Sequence, residues 1–70
     1  MQILVFKTNL SSRECVSDIS SSLNGHPHIE KWNVDLHDCD NVLRIVSANI
    51  QAVEVESLVS KAGYYCEELQ

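Results

Sequence analysis

Apolar segments along the chain predict four β-strands. Residues 2–7 form a short run rich in β-branched and aromatic side chains, which is typical of a buried central strand. Trp32, Val34 and Leu36 alternate with polar residues, the period-two pattern of a half-buried strand. The predicted strands cover residues 2–7, 29–37, 42–47 and 64–69. We expect the last of them at a sheet edge, where its paired glutamates would discourage association.

Two segments with helical spacing of apolar residues lie between these strands. In the first, Ser11 and Glu14 have the spacing of a capping box, and Asn24-Gly25 supplies a stop. The second begins at about Ile50 and is closed by Gly63, a residue type that often ends helices in a left-handed conformation. The apolar positions of the two helices are Val16, Ile19, Leu23, Val55, Leu58, Val59 and Ala62.

The resulting order, βαββαβ, predicts an α+β fold of the ferredoxin-like type. In that sandwich a four-stranded antiparallel sheet carries both helices on one face. Residues 38–41 have turn chemistry and predict a hairpin between the second and third strands. This topology brings the loop after the first strand, the hairpin and the loop before the last strand to one end of the molecule. The chemically interesting side chains expected near that end are Cys15, His37, Cys39 and Cys66.

Length and composition favour one soluble domain. The chain has 70 residues, too few for two independent cores, so we expect a single domain over residues 1–70. Ten acidic and five basic residues give a formal net charge of −5, which works against nucleic acid or an anionic membrane as partner. The longest apolar run, residues 3–6, is far shorter than the roughly 20 residues of a membrane span. Three widely spaced cysteines suit a reducing compartment, so we expect a cytoplasmic location.

The sequence contains no recognisable catalytic constellation, and we therefore expect a protein that is not an enzyme. It holds two glycines, with no phosphate-binding glycine loop and no nucleophile elbow. A pair of Cys15 and His37 would serve nucleophilic catalysis if the two met across the top of the sheet. His26 and His28, at the opposite end, are a weak metal signal. Residues 37–40 offer a mixed ligand set, but contiguous residues of a tight turn rarely converge on one ion, so we expect a solvated turn.

Five parts of the chain together carry a resemblance to a known family. They are residues 3–6, residues 10–16, the helix running on to Leu23, residues 34–36 and residues 61–64. The whole set resembles the heavy-metal-associated domain, which comprises small copper chaperones, mercury-binding proteins and N-terminal modules of metal-pumping ATPases. The resemblance covers nearly the whole chain, and it implies the same ferredoxin-like fold that the periodicity predicts.

The resemblance also implies a metal site. The family carries metal on a Met-x-Cys-x-x-Cys loop after the first strand; here Leu10 stands at the Met, Ser12 at the first Cys and Cys15 at the second. Cys15 is therefore implied as the principal ligand and Ser12 as the position of a lost one, because a serine hydroxyl does not replace a thiolate for Cu(I). Tyr64, directly after Gly63, corresponds to the family's aromatic residue that covers the metal loop.

A metal bound by Cys15 needs a second ligand. Cys66, at the start of the last strand, is the first intrachain candidate, and Cys39 or His37 of the hairpin are weaker ones. Alternatively, Cys15 of a second copy completes the site in a homodimer. The expected cofactor is Cu(I) or another soft metal ion. The expected partner is a metal-transporting or metal-accepting protein with a basic docking face that complements this acidic chain.

Two other functions remain open from the sequence. Ser12 favours a metal-free protein-interaction module that kept the fold and lost the metal site. Thiol or redox chemistry at Cys15 is the third reading, because the first turn of a helix lowers a thiol pKa. Cys15 is equally compatible with a small packing residue without chemistry.

Overall fold

Six elements in the order βαββαβ make up residues 2–69, the part of the chain that this computed structural model describes. They are β1 (Gln2–Thr8), α1 (Arg13–Asn24), β2 (Ile29–Asp35), β3 (Val42–Ser47), α2 (Ala52–Lys61) and β4 (Cys66–Glu68). The strands form one antiparallel sheet in the order β2-β3-β1-β4. The predicted ferredoxin-like fold is confirmed. The predicted domain also includes residues 1 and 70, which lie outside the described residues.

The core lies between the sheet and the two helices. Alternation along β1 and β3 turns Phe6, Leu43 and Ile45 towards the helices, where each is fully buried. Each helix supplies buried residues at helical spacing, because one stripe of an amphipathic helix faces the sheet. The residues of this core cluster are Phe6, Leu10, Ile19, Leu23, Leu43, Ile45, Ile50, Val55 and Val59. At about 1.5–3 kcal/mol for each large apolar side chain, this cluster is the main force holding the fold together.

Helix α1 begins one residue later than the predicted capping box. Ser12, not Ser11, is the N-cap, with extended backbone angles and a side chain that accepts the N–H of Cys15. Leu10, just before the two serines, is anchored: its side chain is in the core, and its N–H donates to the Thr8 hydroxyl at 3.1 Å. With Ser12 as the cap, Cys15 occupies the third helical position, one turn from the cap.

Strand β2 ends at Asp35, two residues before the predicted end at His37. The Asp35 carboxylate accepts the backbone N–H of His37 at 3.0 Å, and its carbonyl accepts that of Asp38. An aspartate that binds backbone groups just after itself turns the chain, which ends the ladder with β3. Leu36 and His37 therefore belong to the hairpin turn.

Strand β4 is half as long as predicted and begins at Cys66 instead of Tyr64. The Tyr64 N–H donates to the carbonyl of Val59, and the Tyr65 N–H donates to the side chain of Asn9. These bonds satisfy both backbone donors outside the sheet. The registered pairs with β1 are the three residues that follow, with one further bond from the Leu69 N–H to the Val5 carbonyl at 2.8 Å, and β4 lies at a sheet edge as predicted.

Helix α2 starts at Ala52, two residues after the predicted start. Ile50 is 2% exposed, and it contributes to the core from the loop, while Gln51 is the N-cap. After the helix, Gly63 has a φ of +95°, the left-handed conformation expected at this position. Within residues 2–69, neither helix combines the length and the apolar character that a membrane crossing requires.

Candidate functional site

Three connections meet at one end of the sheet, as the topology predicts. The backbone N–H of Thr8 donates to the Asp40 carbonyl at 3.0 Å, and the Thr8 hydroxyl donates to the Asn41 carbonyl at 2.6 Å. On the other side, the Asn9 carboxamide oxygen accepts the Tyr65 N–H at 2.8 Å. These bonds fix the hairpin and the α2–β4 loop against the end of β1, from which the chain runs directly to Ser12 and Cys15.

Cys15 is half-buried at the first turn of α1 and has a thiol tuned towards ionisation. The Ser12 hydroxyl donates to its Sγ at 3.3 Å and accepts its backbone N–H at 3.4 Å. The pKa of Cys15 is lowered, first by the bond from Ser12 and further by Tyr64 and the backbone of Ser11; partial burial opposes them. A hydroxyl donor stabilises the thiolate because the negative sulfur accepts its hydrogen more strongly. The arrangement provides one soft, nucleophilic ligand.

Tyr64 and Asp18 lie beside this thiol and are hydrogen-bonded to each other. The Tyr64 hydroxyl donates to the Asp18 carboxylate at 2.5 Å, and Tyr64 also lowers the pKa of Cys15. The pKa of Tyr64 is raised, mainly by the bond to Asp18 and then by Cys15, so the phenol keeps its proton. Asp18 was not singled out from the sequence. Its spacing of three residues from Cys15 on a predicted helix was the available signal, because such positions share a helix face.

Cys66 lies in different surroundings from Cys15. It pairs with Thr8 in the sheet, and its side chain packs partly buried against the core. Burial, and secondarily the charge of Glu56, raise the pKa of Cys66 to about 12. Glu56 is held in place because its carboxylate accepts the Glu68 N–H at 3.0 Å. At neutral pH the Cys66 thiol is therefore protonated, whereas the pKa of the Cys15 thiol is shifted in the opposite direction.

Three potential metal-ligand atoms of the hairpin lie close together, although the sequence predicts a turn whose side chains do not converge on one ion. Side-chain atoms of Asp38, Cys39 and Asp40 lie within 4.8 Å of one another. Turn bonding accounts for this: the Asp38 carboxylate accepts the Asp40 N–H at 2.8 Å, and the Asp40 carboxylate lies 3.8 Å from the Lys7 ammonium. The group is largely exposed, and His37 is not part of it.

The two histidines of the α1–β2 loop lie at the opposite end, as expected. The His28 N–H donates to Nδ1 of His26 at 3.1 Å, and Nε2 of His26 lies 3.7 Å from the Glu54 carboxylate. Both ring nitrogens of His26 thus have partners inside the chain. These contacts order the loop against α2.

No protein-family model and no curated protein sequence matches this chain. Solved structures do match its fold. The yeast copper transporter domain Ccc2a superposes with a TM-score of 0.85 at 17% identity, covering 100% of this chain and 97% of its own. The N-terminal domain of PacS from Synechocystis gives 0.80 at 17% identity, covering 100% of both chains. The HMA domain of the copper chaperone for superoxide dismutase gives 0.80 at 20% identity, covering 97% of this chain and 66% of that one.

These similarities show that the chain has the fold of heavy-metal-associated domains. The resemblance drawn from its sequence segments is confirmed at the level of the fold. One of the matching structures is a complex of Atx1, Cu(I) and Ccc2a, also with a TM-score of 0.85 at 17% identity.

Proposed function

We propose that this chain is a small, non-enzymatic domain that binds a soft metal ion such as Cu(I) through Cys15 and passes it to another protein. The observation that carries the proposal is the half-buried Cys15 thiol at the first turn of α1, where the Ser12 hydroxyl lowers its pKa. Its fold is that of the yeast copper transporter domain Ccc2a and of the HMA domain of a copper chaperone.

The donor set of the chain fits half of a Cu(I) site. Soft Cu(I) prefers thiolates, and Cys15 offers one. The Ser12 hydroxyl is already engaged by the N–H and Sγ of Cys15, and a neutral hydroxyl is a poor ligand for a soft ion. Cys66 must lose a proton from a thiol with a raised pKa before it binds. We propose two alternatives for the second ligand: Cys66 of the same chain, or Cys15 of a second copy.

The proposed partner is a metal-transporting or metal-accepting protein with a basic docking face. A net charge of −5 would steer such a partner towards this chain. In the complex of Atx1, Cu(I) and Ccc2a, a domain with the fold of this chain is found together with Cu(I) and a second protein. Three free thiols support a cytoplasmic, reducing location for the single domain.

The test is a Cu(I) titration of the reduced protein against a chromophoric competing chelator. We expect tight binding in the unmodified protein and its loss in Cys15→Ala. Cys39→Ala is the matched control, because it removes an exposed thiol of the hairpin. Ser12→Cys restores the two-thiol spacing and checks that the loop can hold the ion.

Size-exclusion chromatography of the loaded protein distinguishes the two second ligands. A monomer that loses Cu(I) in Cys66→Ala supports the intrachain site, and a dimer that forms with half an equivalent of Cu(I) supports bridging by two Cys15 thiolates. If Cys15→Ala competes with the chelator as well as the unmodified protein does, the proposal is wrong.

The second candidate function is a metal-free protein-interaction module. The specific observation in its favour is the N-cap role of Ser12, which gives the residue a structural reason to occupy the position of a metal ligand. Failure of the unmodified protein to compete with the chelator, together with binding by Ser12→Cys, would support this candidate. Partner binding that survives replacement of all three cysteines would support it further.

A further inference from the structure

Strand β2 presents an unpaired edge. It is the first strand in the sheet order, so within residues 2–69 its outer side has no strand partner. Its pairing with β3 is irregular between Ile29 and Lys31 and regular from Lys31 to Asp35. The outward N–H and C=O groups of such an edge can pair with another strand. The opposite edge, β4, has three residues and carries two glutamates.

The side chains of this edge are self-complementary about Asn33. Lys31 and Asp35 lie two residues to either side of it, on the open face of the sheet that alternation assigns to all three. Their charges are opposite, and among the described residues neither has an ion-pair partner. On the helical face, Trp32 and Val34 lie one residue to either side, both partly buried. When residues 31–35 are aligned with their own reverse about Asn33, Lys31 stands opposite Asp35 and Trp32 opposite Val34.

We propose that two copies of this chain dimerise by antiparallel pairing of their β2 strands, with the twofold axis at Asn33. Lys31 of each copy then stands opposite Asp35 of the other, which gives two ion pairs on the open face. Trp32 of each copy stands opposite Val34 of the other, an aromatic and β-branched pair of the kind that stabilises neighbouring strands. The result is one continuous eight-stranded sheet built from two four-stranded ones.

Charge selects this register over its neighbours. An axis at Trp32 places Lys31 opposite Asn33, and an axis at Val34 places Lys31 opposite His37. Neither shift pairs Lys31 with a carboxylate. Because a shift by one residue changes every opposing pair, the two ion pairs specify the position of the axis.

A charge-swap experiment tests the register. In Lys31→Asp, two carboxylates face two carboxylates across the interface, and in Asp35→Lys, four lysines face one another. We expect the unmodified protein to reach the mass of two chains in sedimentation equilibrium as its concentration rises, and each variant alone to remain a monomer. In an equimolar mixture of the two variants, every pair again joins opposite charges, so the mixture should dimerise.

Cross-linking provides an independent measurement. In a background with all three native cysteines replaced by serine, Asn33→Cys places a thiol beside its counterpart at the axis, within reach of a disulfide. Lys31→Cys is the matched control, because residues 31 of the two copies are four positions apart, about 13 Å at 3.3 Å per residue. Under mild oxidation we expect linked dimers of Asn33→Cys and unlinked Lys31→Cys.

The β2 dimer is distinguishable from a dimer bridged by metal. It should persist in Cys15→Ser and in the presence of a Cu(I) chelator, because no thiol takes part. Circular dichroism confirms that each variant is folded. A monomer at every concentration, a mixture of charge variants that fails to dimerise, or equal cross-linking of Asn33→Cys and Lys31→Cys would overturn the proposal.

Discussion

Replacement of Ser12 by alanine removes two interactions made by one hydroxyl. Its oxygen caps α1 by accepting the Cys15 N–H at 3.4 Å, and its hydrogen is donated to the Cys15 sulfur at 3.3 Å. Loss of an N-cap acceptor costs about 1 kcal/mol, which corresponds to a fall of roughly 4–8 °C in Tm for a domain of this size. Loss of the donor raises the pKa of Cys15, because Ser12 is the main cause of its lowering.

Ser12→Asp is the matched variant that separates the two effects. A carboxylate keeps the cap acceptor but has no hydrogen to donate, and its charge opposes the thiolate. We therefore expect a raised Cys15 pKa in both variants and a lowered Tm in the alanine variant alone. The assays are thermal unfolding and the pH dependence of iodoacetamide alkylation, with Cys39 and Cys66 replaced by serine. A Cys15 pKa that is unchanged in Ser12→Ala, or equal losses of Tm in both variants, would refute this reasoning.

Three further predictions follow from the described contacts. Burial raises the folded-state pKa of Cys66 to about 12, so the free energy of unfolding should fall as pH rises above the ordinary thiol pKa of about 8.5. In urea unfolding, Cys66→Val should lose less of this free energy than the unmodified protein between about pH 7 and about pH 10. Tyr64→Phe should raise the pKa of Cys15 in the alkylation assay, whereas Tyr65→Phe, whose hydroxyl binds elsewhere, should not. Leu10→Ala should cost about 2–5 kcal/mol in chemical denaturation, because the side chain is fully buried.

Each of these predictions has a contradicting outcome. Equal alkaline losses in the unmodified protein and Cys66→Val would show that Cys66 ionises freely in the folded state. An equal shift of the Cys15 pKa in both tyrosine variants would remove the specific role of the Tyr64 hydroxyl. A cost below about 1 kcal/mol for Leu10→Ala would contradict its place in the core.

Local patterns were enough to predict the order of the elements and, to within two residues, their bounds. The strand at residues 42–47 and the left-handed Gly63 agree with the prediction, because each follows from side-chain periodicity or from the backbone freedom of one residue type. The end of β2 and the start of β4 were each wrong by two residues. They depend on side chains such as Asp35 and Asn9 that take backbone N–H groups away from the sheet.

The sequence by itself determined the fold and drew attention to Cys15. Tertiary structure decided the surroundings of that thiol: Ser12 and not Ser11 is the cap, and Tyr64, after the turn at Gly63, contributes to the lowered pKa of Cys15. It also decided that Cys66 is a partly buried, protonated thiol, which a three-residue strand could not reveal by alternation. The physical reason is the distance along the chain over which each property is determined. Periodicity records which face of an element is apolar, whereas pKa values and hydrogen bonds depend on groups that are far apart in the chain, such as Asn9 and Tyr65, which are 56 residues apart.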